Sequence, residues 1–512
     1  MIEKTLKNGE KVNAFPISAS QNMMYLLSIL YGAGYPINNI GSGYYWKGEM
    51  DFGVMEESIY EAIGRCDTMR LRFTRQSKLK ILQYVTEKSE IKVETWDLSD
   101  LTMDEAHEKL KKFSRQLIPY MECELHKIAL VKMPEGYNGI FMRLQHLAMD
   151  AYSAKIFLTD ILEIYLHKTK GTAYPKPMRE YIPVLEKELA YKESEKYEND
   201  KQYWFDSLAK TTEPIFTDYM IDNRLKHQQV KNPSQRYANI HSGTPDANTL
   251  IFDISKEDTD KIMALCAERG LSIFAVLSMG MRTALSAFND NVEDVSFKMI
   301  INRRGTIAEK KSGGLRINFL PMRSIISPDK TFTEGVNHIS DVQNEMYMHC
   351  DLSFMETLKL RHQSMPKEAK SDSTYDSVGF SYQPLMTMPS IDEEMAKTAH
   401  SVWYNNGATM IPLYVTVKHR ADDGGLQFIF EYRQEPDATF DLTVLYKKIY
   451  ESLVLGAENP DITVGEILEK IKLTDEEKKG GKEKCKSLSH SLKITLKSMK
   501  SKLKTISSLI SA

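Results

Sequence analysis

The amino-acid sequence predicts an α/β protein with mixed α+β sheets, organised as two units that each bury a core. Its 512 residues exceed what one small hydrophobic core usually serves. Apolar residues make up 42% and charged residues 27%, which are the proportions of a globular protein. Stretches of helical and strand-type periodicity interleave in both halves of the chain, and this alternation indicates the α/β or α+β class.

The first unit is expected over residues 1–176. A helix is predicted over 21–30, and strands are predicted over 80–85 and 139–144. A proline-bearing stretch at 171–178 then interrupts the pattern, so the unit is expected to end there.

A connector is expected between the two units, over residues 177–249. The segment 178–208 is rich in Glu and Lys and has the pattern of a charged helix. It is therefore predicted to be a solvated link.

The second unit is expected over residues 250–475. Ser255 and Asp258 have the spacing of a capping box, for a helix that ends at Gly270. The next helix, over 272–288, is apolar on most of its faces and is predicted to be buried.

The strands of the second unit are predicted further along the chain. One covers 294–302 and another covers 377–382. A hairpin is predicted to pair 412–418 with 426–433, through an Asp- and Gly-rich turn at 422–425.

Composition and cysteine usage argue against several classes of function. The five cysteines are widely spaced and form no CxxC pair, so neither a disulfide framework nor a zinc site is expected. The net charge of −3 gives no overall attraction to nucleic acid. The N-terminus lacks the apolar core of a signal peptide, and no apolar run approaches the roughly 20 residues of a membrane span. We therefore expect a cytoplasmic protein without a bound metal or a nucleic-acid partner.

His146 is the residue that the sequence indicates most directly as a site of chemistry. It lies in the segment QHLAMD, residues 145–150, between a predicted strand and an amphipathic helix. A histidine on such a loop can face a cleft and take a proton from an amine or hydroxyl near neutral pH. It can equally be a hydrogen-bonded histidine at a strand end. Asp150 would orient the loop or cap the next helix.

The same spacing of His and Asp occurs a second time, at His419 and Asp423. This pair falls at the predicted hairpin turn, where we expect solvent exposure and no chemistry. The spacing by itself is therefore a weak signal.

Distant segments, taken in order, carry a stronger signal. They are FPISASQNMMY (15–25), RCDTMRLRF (65–73), QHLAMDAYS (145–153), YW (203–204), INR (301–303), GLRINFLPMR (314–323), FSYQ (380–383) and the ending at 467–477. Over roughly residues 13–475 the chain resembles the condensation domains of nonribosomal peptide synthetases. More broadly, it resembles the HxxxD acyltransferases related to chloramphenicol acetyltransferase. Each segment alone is weak evidence, but chance rarely produces the whole series in order.

The resemblance implies a fold and an activity. The fold would be two chloramphenicol-acetyltransferase-like subdomains in a V, with a central tunnel and the HxxxD loop at its middle. The activity would be acyl transfer from a thioester to a small-molecule amine or alcohol. The acyl group would be carried on the phosphopantetheine of a separate acyl or peptidyl carrier protein, or on coenzyme A. No bound cofactor is implied.

The resemblance also assigns roles to residues. His146 would be the catalytic base, and Asp150 would pair with Arg303 across the two subdomains. The adjacent Arg304 is an alternative partner for Asp150. Gln145 replaces the first His of the family motif and would support the loop by hydrogen bonding.

Further candidates fall beside the implied tunnel, and two of them depart from the family pattern. Ala151 stands where the family has Gly. Arg316 stands where the family has Phe, and would either meet an anionic group or point to solvent. The remaining substrate-side candidates are Ser153, Asn318, Ser381 and Gln383.

Two further expectations stay open. The departures also fit a catalytically silent relative that recruits a carrier protein or partner enzyme. The tail 482–512 carries eight Lys and one Glu and has an apolar residue every three or four positions. Such a basic amphipathic segment, within a predicted C-terminal region 476–512, could lie on an anionic membrane surface, dock an acidic partner or remain solvated.

Overall fold

The described chain divides into two compact units. The computed structural model describes residues 1–31, 35–77, 80–209, 216–235, 238, 244–364, 377–384, 388–420, 422–434 and 438–480. Unit 1 consists of Met1–Glu195, Asn302–Ile317 and Thr387–Ala408, and unit 2 consists of Lys196–Ile301, Asn318–Met386 and the chain from Thr409 onward. The predicted tail at 482–512 lies outside the described residues, as does Cys485.

The strands and helices alternate along the chain. The strands are β1 (Ile2–Thr5), β2 (Lys11–Pro16), β3 (Asn39–Lys47), β4 (Leu71–Arg75), β5 (Ile81–Val85), β6 (Val93–Asp97), β7 (His126–Lys132), β8 (Tyr137–Gln145), β9 (Ala247–Asp253), β10 (Asp294–Asn302), β11 (Ile317–Ile325), β12 (Val378–Gln383), β13 (His400–Tyr404), β14 (Leu413–His419) and β15 (Leu426–Arg433). The helices are α1 (Ala19–Tyr31), α2 (Phe52–Arg65), α3 (Met103–Ser114), α4 (Ala151–Lys170), α5 (Ile182–Ala190), α6 (Glu195–Trp204), α7 (Arg224–Gln229), α8 (Lys256–Arg269), α9 (Ile273–Phe288), α10 (Ile307–Lys311), α11 (Phe332–Met348), α12 (Phe354–Ser364), α13 (Glu393–Thr398), α14 (Ala438–Glu458) and α15 (Val464–Ile471).

Unit 1 contains two sheets. The larger has the order β13-β3-β8-β7-β6, and the smaller has the order β1-β2-β5-β4. In the larger sheet, β6 and β7 are parallel, whereas β7, β8, β3 and β13 pair antiparallel. The central strand β8 ends where Gln145 pairs with Asn39 of β3, so the chain leaves the sheet just before His146.

Unit 2 is built around one six-stranded sheet, in the order β11-β10-β12-β14-β15-β9. β10, β12 and β14 run parallel to one another, and β14, β15 and β9 pair antiparallel. The predicted hairpin is therefore confirmed as β14 and β15. The mixture of parallel and antiparallel pairs also confirms the predicted fold class.

Helix α9 is the buried helix that the sequence predicts. Every residue from Ala275 to Phe288 is buried, in the main hydrophobic core of unit 2. The preceding helix α8 begins after Ser255, whose side chain accepts from the Asp258 amide, and it ends at Gly270 with a φ of 65°. Within the described residues, no single helix is long and apolar enough to cross a bilayer; α8 and α9 pass that test only as a pair bent by 118°.

The predicted connector helix over 178–208 is not one solvated helix. It is divided into α5, a 3₁₀ turn, α6 and a π turn at Phe205–Ala209. Trp204 and Asp200 are each 1% exposed. The charge content predicts a solvated helix. Several of these charged side chains instead pair with buried partners, which replace the water around the charge.

The compact units differ from the predicted boundaries: the predicted connector 177–249 is divided between them after Glu195, and two later segments return to unit 1. Residues 302–317 and 387–408 belong to unit 1, although the sequence pattern assigns both to the second unit. β13, within the later segment, pairs with β3 at the edge of the unit 1 sheet. Periodicity along the chain indicates where a strand or helix forms, but not which distant strand it pairs with. The sequence pattern therefore does not show that these two segments belong to unit 1.

Gly280 in α9 tests how tightly the core of unit 2 is packed. A Cβ at this position would lie 2.5 Å from Cγ of Leu453, a fully buried side chain of α14. We predict that G280A lowers the free energy of unfolding by about 1–3 kcal/mol through overpacking. Alanine alone would favour the helix by about 1 kcal/mol. Urea unfolding followed by circular dichroism measures the difference.

Gly64 provides the matched control. It lies in α2, is exposed, and a Cβ there would meet nothing within 4 Å. G64A should therefore leave the protein equally or slightly more stable. Equal effects of the two substitutions would contradict the predicted close packing of α9 against α14.

Candidate active site

His146 lies on the loop between β8 and α4, where the sequence predicts it. Its backbone N–H donates to the Asn38 carbonyl at 2.6 Å, which ties the loop to the chain entering β3. The His146 side chain is half-buried. The backbone at His146 is thus anchored to the end of the sheet.

The hydrogen bond of the ring determines its tautomer. Nδ1 lies 2.9 Å from the backbone carbonyl of Met149. Because a carbonyl oxygen only accepts, Nδ1 carries the hydrogen and Nε2 carries the lone pair. Nε2 has no hydrogen-bond partner among the described residues. Burial lowers the pKa of His146 below its usual value of 6.5, against the opposing charge of Asp150, so the ring is neutral at pH 7.

Asp150 caps helix α4, and both of its carboxylate oxygens accept hydrogen bonds. Oδ1 accepts from the Ser153 amide at 2.9 Å, and Oδ2 accepts from the Arg316 amide at 2.9 Å. The Arg304 guanidinium donates to both oxygens, at 2.8 and 3.0 Å. Burial alone would raise the pKa of Asp150, but the Arg304 charge and these hydrogen bonds lower it below its usual value. The carboxylate is therefore ionised, although only 1% of the residue is exposed.

Arg304, not Arg303, pairs with Asp150, which corrects the assignment implied by the family resemblance. The Arg303 guanidinium instead lies 2.7 Å from Glu188 and 2.8 Å from the Ser20 hydroxyl. All of these residues belong to unit 1. The motif contains two adjacent arginines, and only the positions of their carboxylate partners decide which one reaches Asp150.

Ser153, a predicted substrate-side candidate, has its hydroxyl bonded to Arg304 and Gly314. Its hydroxyl donates to the Gly314 carbonyl at 2.6 Å and accepts from Arg304 at 2.8 Å. The residue is 0% exposed. Arg304 also donates to the Gly314 carbonyl at 2.9 Å, and its guanidinium lies 4.8 Å from the centre of the Tyr152 ring.

Gly314 is required by the geometry of this arrangement. Its φ of 108° is unfavourable for residues with a side chain, and a Cβ would lie 2.5 Å from the Tyr181 ring. The turn places the Gly314 carbonyl and the Arg316 amide toward Arg304 and Asp150 respectively.

Arg316 meets anionic groups rather than solvent. The residue is 4% exposed, and its guanidinium contacts Glu188 at 3.2 Å and Glu309 at 3.3 Å. Its Nε donates to the Arg303 carbonyl at 3.1 Å. Burial lowers the pKa of Arg316, and the Glu188 charge opposes that shift.

Gln145 and Ala151 flank the loop. Gln145 is 2% exposed, and its amide donates to the Ile118 carbonyl at 3.3 Å. Its Oε1 is buried and has no partner among the described residues. Ala151, the first residue of α4, is exposed.

The other predicted candidates lie in unit 2. Asn318 is 4% exposed and donates to the carbonyls of Cys350 and Leu352, at 3.0 and 2.8 Å. It also accepts from the Phe354 amide at 3.0 Å, so its amide group is fully used in holding backbone. The Ser381 hydroxyl lies 2.9 Å from the Tyr414 hydroxyl, and Gln383 is exposed.

The second His–Asp pair has a different structure from the first. His419 is half-buried rather than exposed, because its two ring nitrogens contact the Gly424 carbonyl at 2.8 Å and the Tyr382 hydroxyl at 2.9 Å. Asp423 is exposed and pairs with Arg420. Within the described residues, no group of three or more His, Cys, Asp or Glu side chains is placed to hold a metal ion.

Glu188 and Glu309 are residues of the site that the sequence reasoning missed. Glu188 follows the buried Val184 and Leu185 by four and three positions, so it lies on the apolar face of α5. A carboxylate on the apolar face of a helix indicates a buried charge with a partner, and this pattern could have identified Glu188. Glu309 was hidden by its ordinary place in the capping box of α10.

Known proteins resemble the chain in sequence. A family model described as "Condensation domain" matches residues 11–450. The chain is 23% identical over 476 residues to surfactin synthase subunit 1 of Bacillus subtilis (strain 168), covering 89% of this chain and 12% of that protein. It is 22% identical over 479 residues to gramicidin S synthase 2 of Brevibacillus brevis, covering 91% of this chain and 10% of that protein. The chain therefore spans only a small part of these relatives.

Solved structures share the fold. One is the first condensation domain of the calcium-dependent antibiotic synthetase with a substrate analogue, at a TM-score of 0.72 and 17% identity, covering 89% of this chain and 98% of that one. Another is the starter condensation domain of rhizomide synthetase with C8-CoA and Leu-SNAC, at a TM-score of 0.71 and 17% identity, covering 88% of this chain and 96% of that one. Because the family model covers most of the sequence, this chain belongs to the condensation-domain family.

Proposed function

We propose that this chain is a condensation-type acyltransferase in which His146 is the general base. It would transfer an acyl or aminoacyl group from a thioester to an amine or hydroxyl, forming an amide or an ester. The observation that carries the proposal is the tautomer of His146: Nδ1 is committed to a carbonyl, and Nε2 holds a lone pair at neutral pH. That is the state a general base requires.

The proposed reaction needs no other titrating group. The acceptor nitrogen or oxygen attacks the thioester carbonyl while its proton passes to Nε2 of His146. The tetrahedral intermediate then collapses, the C–S bond breaks, and the imidazolium returns the proton to the departing thiolate. Asp150 keeps the loop in place and contributes negative charge near the ring, without a hydrogen bond to it.

The donor is proposed to arrive on a phosphopantetheine arm, of a separate carrier protein or of coenzyme A. A double mutant of the rhizomide synthetase starter domain was solved with C8-CoA and Leu-SNAC. A thioester is already activated, so the chain needs only to position the two substrates and move one proton.

His146 can be tested with the full chain. With C8-CoA and Leu-SNAC among a panel of thioesters and amines, we expect H146A to form product about 10²–10⁴-fold more slowly than wild type. Mass spectrometry of the amide product measures the rate. H419A is the matched control, since His419 has the same spacing to an Asp but lies in unit 2, and it should retain the wild-type rate.

The outcomes separate the two candidate functions. Equal rates in wild type and H146A would contradict the base assignment. A wild-type chain that forms no product with any pair, yet binds a carrier protein, would favour the catalytically silent alternative, for which Gln145, Ala151 and Arg316 are the sequence arguments.

The pH dependence of kcat/KM tests the protonation state of His146. Because burial lowers its pKa, the free base persists below the ordinary value of 6.5. The rate should therefore level off on the alkaline side of an apparent pKa that lies below 6.5. An acidic limb centred above 6.5 would show that another group, or a charged ring, governs the reaction.

D150N tests the buried ion pair. It keeps the shape of the side chain but leaves the Arg304 guanidinium without its carboxylate, so we predict a loss of about 3–5 kcal/mol in unfolding free energy. Asp51 is the matched control, because it also caps a helix through the Val54 amide but is exposed. D51N should change stability little, since Asn caps helices about as well.

The difference in unfolding free energy between wild type and D150N should depend on pH in a defined direction. The pKa of Asp150 is lower in the folded state than its usual value, so its stabilisation is fully present above that value. It is lost as the pH falls through the folded-state pKa. The gap between wild type and D150N should thus stay constant above about pH 5 and narrow in more acidic solution. A gap that widened on acidification would contradict an ionised, paired Asp150.

A further inference from the structure

The Asp150–Arg304 pair is part of a larger buried group of charges. Three guanidiniums, those of Arg303, Arg304 and Arg316, belong to residues that are 5%, 5% and 4% exposed. Their carboxylate partners are Asp150, Glu188 and Glu309. All six residues lie in unit 1, and their formal charges cancel.

Glu188 holds two of the three arginines. Its Oε1 lies 2.7 Å from Arg303 and its Oε2 lies 3.2 Å from Arg316, and 8% of its side chain is exposed. Glu309 can be satisfied without Arg316, because it also accepts from the amides of Gly305 and Thr306 in the cap of α10. Glu188 has no comparable backbone partner among the described residues.

The two arginines that Glu188 holds are joined to Asp150 through the main chain. The Arg303 amide donates to the Arg316 carbonyl at 3.2 Å, and the Arg316 Nε donates back to the Arg303 carbonyl at 3.1 Å. The Arg316 amide in turn donates to Asp150 at 2.9 Å. The position of that amide is therefore linked to the Arg316 guanidinium and to the Arg303 main chain.

Loss of the Glu188 charge would unbalance this group. Arg303 and Arg304 already disfavour the charged form of Arg316, on top of the larger effect of burial. The buried group would then carry one net positive charge, which is destabilising even though Arg316 keeps its contact with Glu309. The chain would move or hydrate the guanidiniums to recover part of that loss. Such a movement would be passed to the Arg316 amide and to Asp150.

We infer that Glu188 is a positioning residue for the His146 loop, acting through Arg303 and Arg316 on the carboxylate of Asp150. This inference rests on the proposed function only in that the loop is taken as the reactive centre. In this chain Arg316 replaces an apolar residue of the family pattern, and Glu188 supplies the countercharge that makes the replacement compatible with a buried position.

The first test compares E188Q with E186Q in the full chain. Glu186 lies on the same helix and is exposed, so E186Q removes the same charge without touching the group. E188Q should lower kcat about 10–100-fold with little change in KM for the donor, as expected for a small misplacement of the reacting groups. E186Q should match wild type.

A second readout does not require turnover. The pKa of His146, followed by NMR of its ring protons, should fall in E188Q because a displaced Asp150 carboxylate would no longer raise it to the same extent. It should not move in E186Q. The melting temperature of E188Q should also drop below that of E186Q. An unchanged His146 titration and melting temperature in E188Q would overturn the inference, whether or not the protein is an active enzyme.

A charge-balanced double variant covers the case in which E188Q folds poorly. E188Q/R316Q removes one charge of each sign, and should be more stable and at least about threefold more active than E188Q alone. The H146A result decides the proposed function separately. If the loss of rate in the double variant equals the product of the losses in E188Q and in R316Q, Glu188 and Arg316 act independently and the inference fails.

Discussion

The two parallel hydrogen bonds from Arg304 to Asp150 are the interaction on which the site depends. Asp150 has almost no exposure, so its ionised form exists only because a guanidinium and two backbone amides replace the water it has lost. The same carboxylate begins α4 and sits four residues after His146. One ion pair therefore fixes the start of a helix, the shape of the loop and the charge next to the imidazole.

Much of the fold is predictable from the sequence because local sequence patterns determine many of its elements. The buried helix α9, the cap of α8 and the hairpin of β14 and β15 all follow from apolar periodicity and turn residues. The place of His146 after a strand also follows from local pattern. The resemblance to condensation domains adds the expected link between Asp150 and an arginine far along the chain.

The remaining features depend on which distant groups meet, and local pattern does not encode that. Adjacent Arg303 and Arg304 look equivalent in sequence, and only Glu188 and Asp150 distinguish them in space. The family resemblance makes Ser153 a substrate-side candidate, whereas here Arg304 and Gly314 enclose its hydroxyl, and no local pattern signals those contacts. Glu188 lies on the apolar face of α5, but its partners lie more than 100 residues away, so the surrounding sequence does not show what it pairs with.

The discontinuity of unit 1 has a consequence for how the protein is made. Arg304 and Arg316 come from residues 302–317, and the edge strand β13 comes from 387–408, so no continuous N-terminal fragment that stops before these segments contains a complete unit 1. During synthesis, Asp150 and Glu188 emerge from the ribosome well before their arginine partners. The nascent first unit must keep these carboxylates hydrated until the arginines have been translated, and only then can the ion pairs close and the loop of His146 take its final form.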